Sequence, residues 1–502
     1  MIPLLKVLDE NIQFLGSYVD GAWKIPTSAS VSWVVKSPAN FEWVLPEVSA
    51  SKDYIEESVF AARKAYPEWR RKSFEERIAV LNKFGEELLA RKELMARVIA
   101  IEIGKPIDEC RGEAQALKAK IDITVQDARK LVETQRLDLG PGGRGEIHYR
   151  PKGVLAVIGP FNFPAHLSNG HIIPALMMGN VCILKPSEKA PYSAQVYAQA
   201  AEAAGFPTGV FQMLQGDGDI AGRLVGQSGI DGVLATTSYE IGAKIQNKLA
   251  EKTEKIVALE MGGKNAAIVW EGADVMQVAQ DLIQSSFLTT GQRCTALSRV
   301  YVHPSIKDEL INQVHVLAKD LIINHPFADD PKPYMGPIIS EQARDKFLRY
   351  SDIAVSEGAE SIMRPKVLDG VTRKNRNPLP DGYYVSPSIH YVKEANAKSP
   401  YQTHEIFGPD IFFCETSELE EAIANVNSTK FGLAFSLFGG DETMFHKVAD
   451  EIEGGLCYWN RPTTGASSKL PFGGWKRSGN HWPAGLFAIY ASSQVQTRLM
   501  NG

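Results

Sequence analysis

Two segments carry the residue types that covalent catalysis needs. Cys294 sits in Phe287-Leu288-Thr289-Thr290-Gly291-Gln292-Arg293-Cys294-Thr295, a small-residue turn after a predicted helix. Upstream, Glu260 sits in Leu259-Glu260-Met261-Gly262-Gly263-Lys264-Asn265. A thiolate can attack a carbonyl, and a carboxylate can serve as the general base. Gln292, Arg293, Thr295 and Ser298 surround the cysteine instead of an apolar run. An arginine and the N–H groups of a turn favour thiolate, whereas an isolated cysteine reads as inert. Oxidation of the carbonyl carbon requires an electron acceptor, which the rest of the chain must hold.

The elements that would position these groups follow a strand–helix rhythm. Apolar strands are predicted at 153–159, 180–185, 210–214 and 232–236, with helices at 165–178 and 193–204 between them. Continuous apolar strands alternating with helices predict a doubly wound parallel sheet. The rhythm returns at 266–270, 274–288 and 299–303, so a second α/β domain is expected. Before the first sheet, 51–69 and 73–102 show helical spacing, with Ser73 and Glu76 placed for a capping box. Gly140-Pro141-Gly142-Gly143 joins two polar, alternating stretches within 132–150. That hairpin has few core residues, so it is expected to pair with another subunit, the alternative being a surface loop.

Ligands of open parallel sheets bind at the carboxyl ends of the strands. Phe161-Asn162-Phe163-Pro164, Lys185-Pro186-Ser187-Glu188 and Thr237-Ser238-Tyr239-Glu240-Ile241-Gly242 fall there. The last opens a helix, where backbone N–H groups can receive a phosphate. Glu188 and Lys185 are placed for ribose hydroxyls, and a carboxylate there favours NAD over NADP; a solvated Lys–Glu pair is the plain alternative. Asn162 offers an amide that, with the backbone N–H of Cys294, would make an oxyanion hole; an Asx-turn is the other reading. Gly216-Asp217-Gly218-Asp219-Ile220-Ala221-Gly222 is a poor dinucleotide fingerprint, with its last spacing too long, and reads equally as a helix start.

Composition narrows the classes. The chain has 502 residues, 44% hydrophobic and 23% charged, enough for two to four domains of an ordinary enzyme. A net charge of −5 without a basic stripe argues against nucleic-acid binding. Five widely spaced cysteines without CxxC argue against a disulfide framework or a metal site. Cys182, Cys414 and Cys457 read as small buried hydrophobes. Met1-Ile2-Pro3-Leu4-Leu5-Lys6 lacks a signal-peptide pattern, and no long apolar run is present, so a cytoplasmic protein without membrane contact is expected.

Leu259-Glu260-Met261-Gly262-Gly263-Lys264 and Gly291-Gln292-Arg293-Cys294 resemble the two signature segments of the NAD(P)-dependent aldehyde dehydrogenase superfamily. Phe161-Asn162-Phe163-Pro164, Lys185-Pro186-Ser187-Glu188, Glu405-Ile406-Phe407-Gly408-Pro409 and Pro471-Phe472-Gly473-Gly474 follow in family order, from about residue 15 to 500. The resemblance implies a Rossmann-like NAD-binding domain (1–130 with 152–260) and a catalytic domain (261–462). It also implies a small β oligomerisation arm (131–151 with 479–502) and a homodimer or dimer of dimers. It implies that Cys294 attacks the aldehyde, Asn162 stabilises the oxyanion, and Glu260 activates the hydrolytic water. Lys185 and Glu188 would hold the adenosine ribose, Ser238 and Gly242 the pyrophosphate turn, and Glu405 and Phe407 the nicotinamide end of NAD. Thr237 departs from the pattern, which has glycine there for close backbone approach.

Residues 161–176 and 459–468, with Ser478-Gly479-Asn480-His481, resemble the branch acting on N-succinylglutamate 5-semialdehyde in bacterial arginine catabolism. Gly170 stands where many relatives have a bulky aromatic, which implies a wide tunnel. Arg293, Arg461, Ser467 and His166 would receive the distal carboxylates of that substrate. Relatives tend to carry lysine at Arg461, which keeps the charge but not the geometry. Glutamate or succinate semialdehyde, an aliphatic aldehyde, or a silent scaffold with the same fold are the alternatives.

Overall fold

The computed structural model describes residues 12–368 and 379–501. The amino-terminal stretch read above as lacking a signal peptide, and Gly502 at the end of the expected arm, lie outside the described residues.

Five parallel strands build the first sheet, in the order Ile256–Glu260, Gly232–Thr236, Val154–Ile158, Val181–Lys185, Phe211–Met213. The hairpin of Ser17–Val19 and Ala22–Lys24 closes its far edge antiparallel. Strands 154–158, 181–185 and 232–236 are buried at every residue, because helices cover both faces of a parallel sheet. The chain reverses direction across the sheet between Val154–Ile158 and Gly232–Thr236. Such a switch point opens a crevice at the carboxyl ends of the strands.

The second sheet runs Glu360–Met363, Ser388–Val392, Asp410–Glu415, Leu297–Val302, Asn265–Val269, Ala434–Phe438, Leu456–Trp459. All its pairings are parallel except that of Glu360–Met363. Only Met261–Lys264 separates the last strand of the first sheet from Asn265–Val269 in the second. The hairpin of Gln135–Asp138 and Arg144–Pro151 gains a third strand, Ser493–Met500, on its other side.

Most element boundaries fall within two residues of the sequence expectation. The stretch 73–102 is corrected. It is two helices, Phe74–Ala90 and Lys92–Ile103, broken at Arg91 where φ is −97° and ψ 10°. The capping box at Ser73 forms, with Glu76 N–H donating to Ser73 Oγ and Ser73 N–H donating to Glu76 Oε2. The Gly216–Gly222 stretch is a helix start, Gly218–Gly226 capped by the Asp217 carboxylate. Among the described residues no helix is long and apolar enough to cross a membrane.

Candidate active site

Cys294 lies past a turn that few sequences could make. Thr289, Thr290 and Gly291 have φ of 55°, 56° and 68°. Left-handed backbone costs about 1–2 kcal/mol per non-glycine residue and persists only where surrounding contacts fix it. Those contacts are present on several sides. Asn265 Nδ2 donates to the carbonyl oxygens of Cys294 and Ala296 at 2.7 and 2.8 Å. Thr463 Oγ1 donates to the Thr295 carbonyl at 2.8 Å. A Cβ on Gly291 would stand 2.2 Å from the Gly408 carbonyl oxygen, so only glycine lets the turn reach the Glu405–Gly408 loop.

The groups expected to favour thiolate are present, against opposing ones. Burial pushes the Cys294 thiol well up, and the charges of Glu260 and Glu405 push it further. A bond from the Thr295 N–H and the charge of Arg293 pull the other way without overcoming burial.

Glu260 ends the strand Ile256–Glu260, 1% exposed and in register with Thr236. Among the described residues neither carboxylate oxygen has a hydrogen-bond partner. Burial holds this carboxyl well above its usual range. The next residues are glycines for a steric reason. A Cβ on Gly262 would stand 2.1 Å from Glu405 Oε1, and one on Gly263 would stand 2.9 Å from the Cys294 carbonyl oxygen. The Gly263 N–H donates to Glu405 Oε1 at 2.9 Å, and burial raises the Glu405 carboxyl to about 7. The two glycines thus bring the Glu260 strand, the Cys294 turn and the Glu405 loop together.

Asn162 reaches the same turn from the first sheet. It is 4% exposed, and its Nδ2 donates to the Gln292 carbonyl oxygen at 2.9 Å. Phe161 and Phe407 meet edge to face at 5.9 Å, joining the loops that follow the two sheets. Phe407 itself has φ of 60°.

The remaining cofactor candidates line the switch-point crevice. Lys185 is buried and ends its strand, 3.8 Å from the exposed Glu188 carboxylate. Trp33 Nε1 donates to the Glu188 carbonyl oxygen at 2.8 Å. Ser238 caps the helix Tyr239–Lys248, its hydroxyl accepting from the Ile241 N–H. Gly242 lies buried in the first turn of that helix, where a Cβ would stand 2.4 Å from Met261 Sδ. The Thr237 N–H donates to the Glu260 carbonyl oxygen at 3.0 Å, and its hydroxyl donates to the Ser238 carbonyl oxygen.

The substrate candidates are placed less uniformly. Arg293 Nη2 donates to Glu109 Oε1 at 2.8 Å, its Nε donates to Thr289 Oγ1, and its guanidinium lies 4.9 Å from the Phe163 ring centre. His166 is half-buried and held neutral by burial, with Nδ1 lacking a partner. Arg461 and Ser467 are exposed. A Cβ on Gly170 would meet nothing within 4 Å.

Several residues had no signal in the sequence reading. The Tyr458 hydroxyl is buried without a partner and is pushed up to about 12 by burial and then by the charge of Cys294. His171 bridges the Pro483 carbonyl and Thr236 Oγ1 at 2.9 Å each, and burial lowers its imidazole to about 4. Lys105 and Glu113 form a buried ion pair against the Asn162 loop. Apart from the Lys105–Glu113 pair itself, the partners of His171, Lys105 and Glu113 named here and in the Asn162 loop are 52 to 312 residues away in sequence, beyond any local pattern.

Comparison with known proteins agrees with this geometry. The Aldehyde dehydrogenase family model matches residues 26–497. An N-succinylglutamate 5-semialdehyde dehydrogenase of Novosphingobium aromaticivorans is 39% identical over 434 residues, 86% of this chain and 89% of that protein. An NAD-dependent aldehyde dehydrogenase from Sinorhizobium meliloti superposes with a TM-score of 0.90 at 27% identity, over 99% of this chain and 96% of that one. A variant of aldehyde dehydrogenase C from Pseudomonas syringae, complexed with NAD+ and octanal, superposes with a TM-score of 0.88 at 28% identity, covering 96% of each chain.

Proposed function

We propose, for a chain that belongs to the aldehyde dehydrogenase family, the NAD-dependent oxidation of N-succinyl-L-glutamate 5-semialdehyde to N-succinyl-L-glutamate. The observation that carries the reaction is the meeting of the Glu260 strand, the Cys294 turn and the Glu405 loop at Gly262-Gly263, with Asn162 bonded to Gln292 in the Cys294 turn.

Cys294 passes its proton to Glu260 or to solvent, and its sulfur attacks the aldehyde carbon, forming a thiohemiacetal oxyanion. The Asn162 amide has a second N–H, besides the one given to Gln292, to donate to the oxyanion. NAD, when bound, supplies the hydride acceptor. The donor set suits it: Lys185 and Glu188 for a ribose, the Ser238 helix start for the pyrophosphate, and Glu405 with Phe407 for the nicotinamide end. Glu260, once deprotonated, takes a proton from water, which hydrolyses the thioester and frees the carboxylate product.

The relatives' names support the substrate, as does the basic and polar set of Arg293, Arg461, Ser467 and His166. Another acidic semialdehyde is the second reading, favoured by the exposure of Arg461 and Ser467. A silent scaffold would have no use for an intact Cys294 and Glu260. The same reading assigns 1–130 with 152–260 to cofactor binding, 261–462 to catalysis and 131–151 with 479–502 to oligomerisation in a cytoplasmic enzyme. Steady-state turnover with succinylglutamate, glutamate, succinate and aliphatic aldehydes tests it. The expected result is the highest kcat/KM for the succinylated semialdehyde, and equal values across the panel defeat the substrate assignment. NADH formation that persists in Cys294→Ala defeats the nucleophile.

A further inference from the structure

We propose that Lys105 and Glu113 are positioning residues for the oxyanion donor, holding the Asn162 loop against the Cys294 turn. The inference rests on the reading of Asn162 as that donor.

Lys105 follows the helix Lys92–Ile103, and Glu113 lies in the helix Ile107–Gln126. Their side chains are 1% and 0% exposed and form an ion pair. Burying two charges costs desolvation that their attraction barely repays, so such a pair is a poor source of stability. Its geometry points to a different role, because the other polar contacts of both side chains converge on one loop. Lys105 Nζ donates to the Asn162 carbonyl oxygen at 2.9 Å. Glu113 Oε1 accepts from the N–H groups of Ala165 and His166 at 3.2 and 3.1 Å. The pair therefore anchors both ends of Asn162-Phe163-Pro164-Ala165-His166.

Between those ends, Phe163 is fixed by two cations. Lys105 Nζ lies 3.8 Å from its ring centre, and the Arg293 guanidinium lies 4.9 Å from it. Arg293 directly precedes the nucleophile, so the ring couples the clamp to the Cys294 turn. The Asn162 side chain completes the link by donating to Gln292. An oxyanion donor works only if it is already aimed where charge will develop. Here the aim is set by two side chains outside the reaction, Lys105 in the link between two helices and Glu113 on the second of them.

The test compares Lys105→Met/Glu113→Gln, Asn162→Ala and the triple variant. The double substitution removes both charges at similar volume and leaves no unpaired buried ion. Misplacement of a donor by an ångström costs about 10²-fold in rate, and kcat should fall by that order in Lys105→Met/Glu113→Gln. Alkylation of Cys294 by iodoacetamide forms no oxyanion, so its rate should not change, nor should the KM for NAD. Adding Asn162→Ala should cost little more, because both changes remove the same interaction. Lys105→Met alone, which leaves Glu113 accepting from the Ala165 and His166 N–H groups, should show the same signature more weakly and serves if the double variant does not fold.

Retained kcat in the double variant beside a crippled Asn162→Ala overturns the positioning role alone. So does a full additional loss in the triple variant, or alkylation that falls in step with kcat. Full activity in Asn162→Ala overturns the donor reading, and this proposal with it.

Discussion

Arg293 Nη2 donates to Glu109 Oε1 at 2.8 Å, and this bond fixes what the residue before Cys294 can offer a substrate. Both side chains are largely buried, 17% and 14% exposed. The second oxygen of Glu109 is buried without a partner among the described residues. If Arg293 receives a distal carboxylate, Arg293→Met should lose a charge-assisted hydrogen bond of about 1.5–3 kcal/mol. That corresponds to roughly 10- to 100-fold in kcat/KM for an acidic semialdehyde, with a smaller loss for a neutral aldehyde. Equal losses for both classes would assign Arg293 to supporting the turn instead.

Gly262 has no room for a side chain. A Cβ would stand 2.1 Å from Glu405 Oε1, so Gly262→Ala must displace the Glu405 carboxylate. Overpacking at such a contact costs about 1–3 kcal/mol. The expected outcome is a raised KM for NAD and a slower hydride-transfer step, with iodoacetamide alkylation of Cys294 retained. Calorimetric titration with NAD would check it, and an unchanged Kd together with unchanged kcat would remove Glu405 from the cofactor site.

The pH behaviour of Cys294 and Glu260 separates two roles for the carboxylate. Burial raises both groups, so thiolate and carboxylate each form only as pH rises. Alkylation of Cys294 and the hydrolytic step should therefore both accelerate with pH. The negative charge of Glu260 opposes thiolate formation, so Glu260→Gln should shift the alkylation profile to lower pH. The same variant should give a burst of NADH without turnover, because the thioester is no longer hydrolysed. Slower alkylation across the whole profile would show instead that Glu260 deprotonates the resting thiol. The stability sign is opposite. A raised carboxyl stabilises the fold fully below its unfolded pKa, near 4, and that contribution is lost as pH rises through the folded value. For Glu405 the loss ends near its folded value of about 7.

The parallel sheets were legible because buried strands such as Val154–Ile158 need continuous apolar residues, and the helix at Val275–Phe287 because Asp274 caps it. The Gly262-Gly263 pair and the Cys294 turn stand out because only small residues permit close approach. What escaped the sequence is what depends on contacts across the fold. Arg293 looks like an activator of its neighbour until Glu109, 184 positions away, engages it. Lys105 and Glu113 look like ordinary helix-surface charges, although both are buried beside Asn162. Arg293 and the turn's N–H groups could be read as favouring thiolate, but local sequence carries no measure of the desolvation that opposes it.

The arm presents a second kind of test. Leu137, Val495 and Leu499 are 49%, 63% and 72% exposed on the three-stranded sheet, and Leu139 in the turn beside it is 44% exposed. Strand Ser493–Met500 is an edge strand paired on one side only. Exposed apolar edges are templates for pairing. Val495→Lys/Leu499→Lys should lower the mass found by sedimentation equilibrium without unfolding the chain. An unchanged mass would place the subunit interface elsewhere.

Glu188 is the residue proposed to select the cofactor. Its carboxylate is exposed at the end of Val181–Lys185, with the buried Lys185 ammonium 3.8 Å away and Trp33 bonded to its backbone. A 2′-phosphate set against that carboxylate meets like charge, which costs several kcal/mol at an interface. The wild type should therefore prefer NAD over NADP by about 10²-fold or more in kcat/KM. Glu188→Ser removes the repulsion and leaves Lys185 free to face the phosphate, so the preference should narrow mainly through a gain with NADP. A loss with NAD alone would mean that Glu188 holds the ribose without excluding the phosphate. Equal use of both cofactors by the wild type would take Glu188 out of the selection altogether.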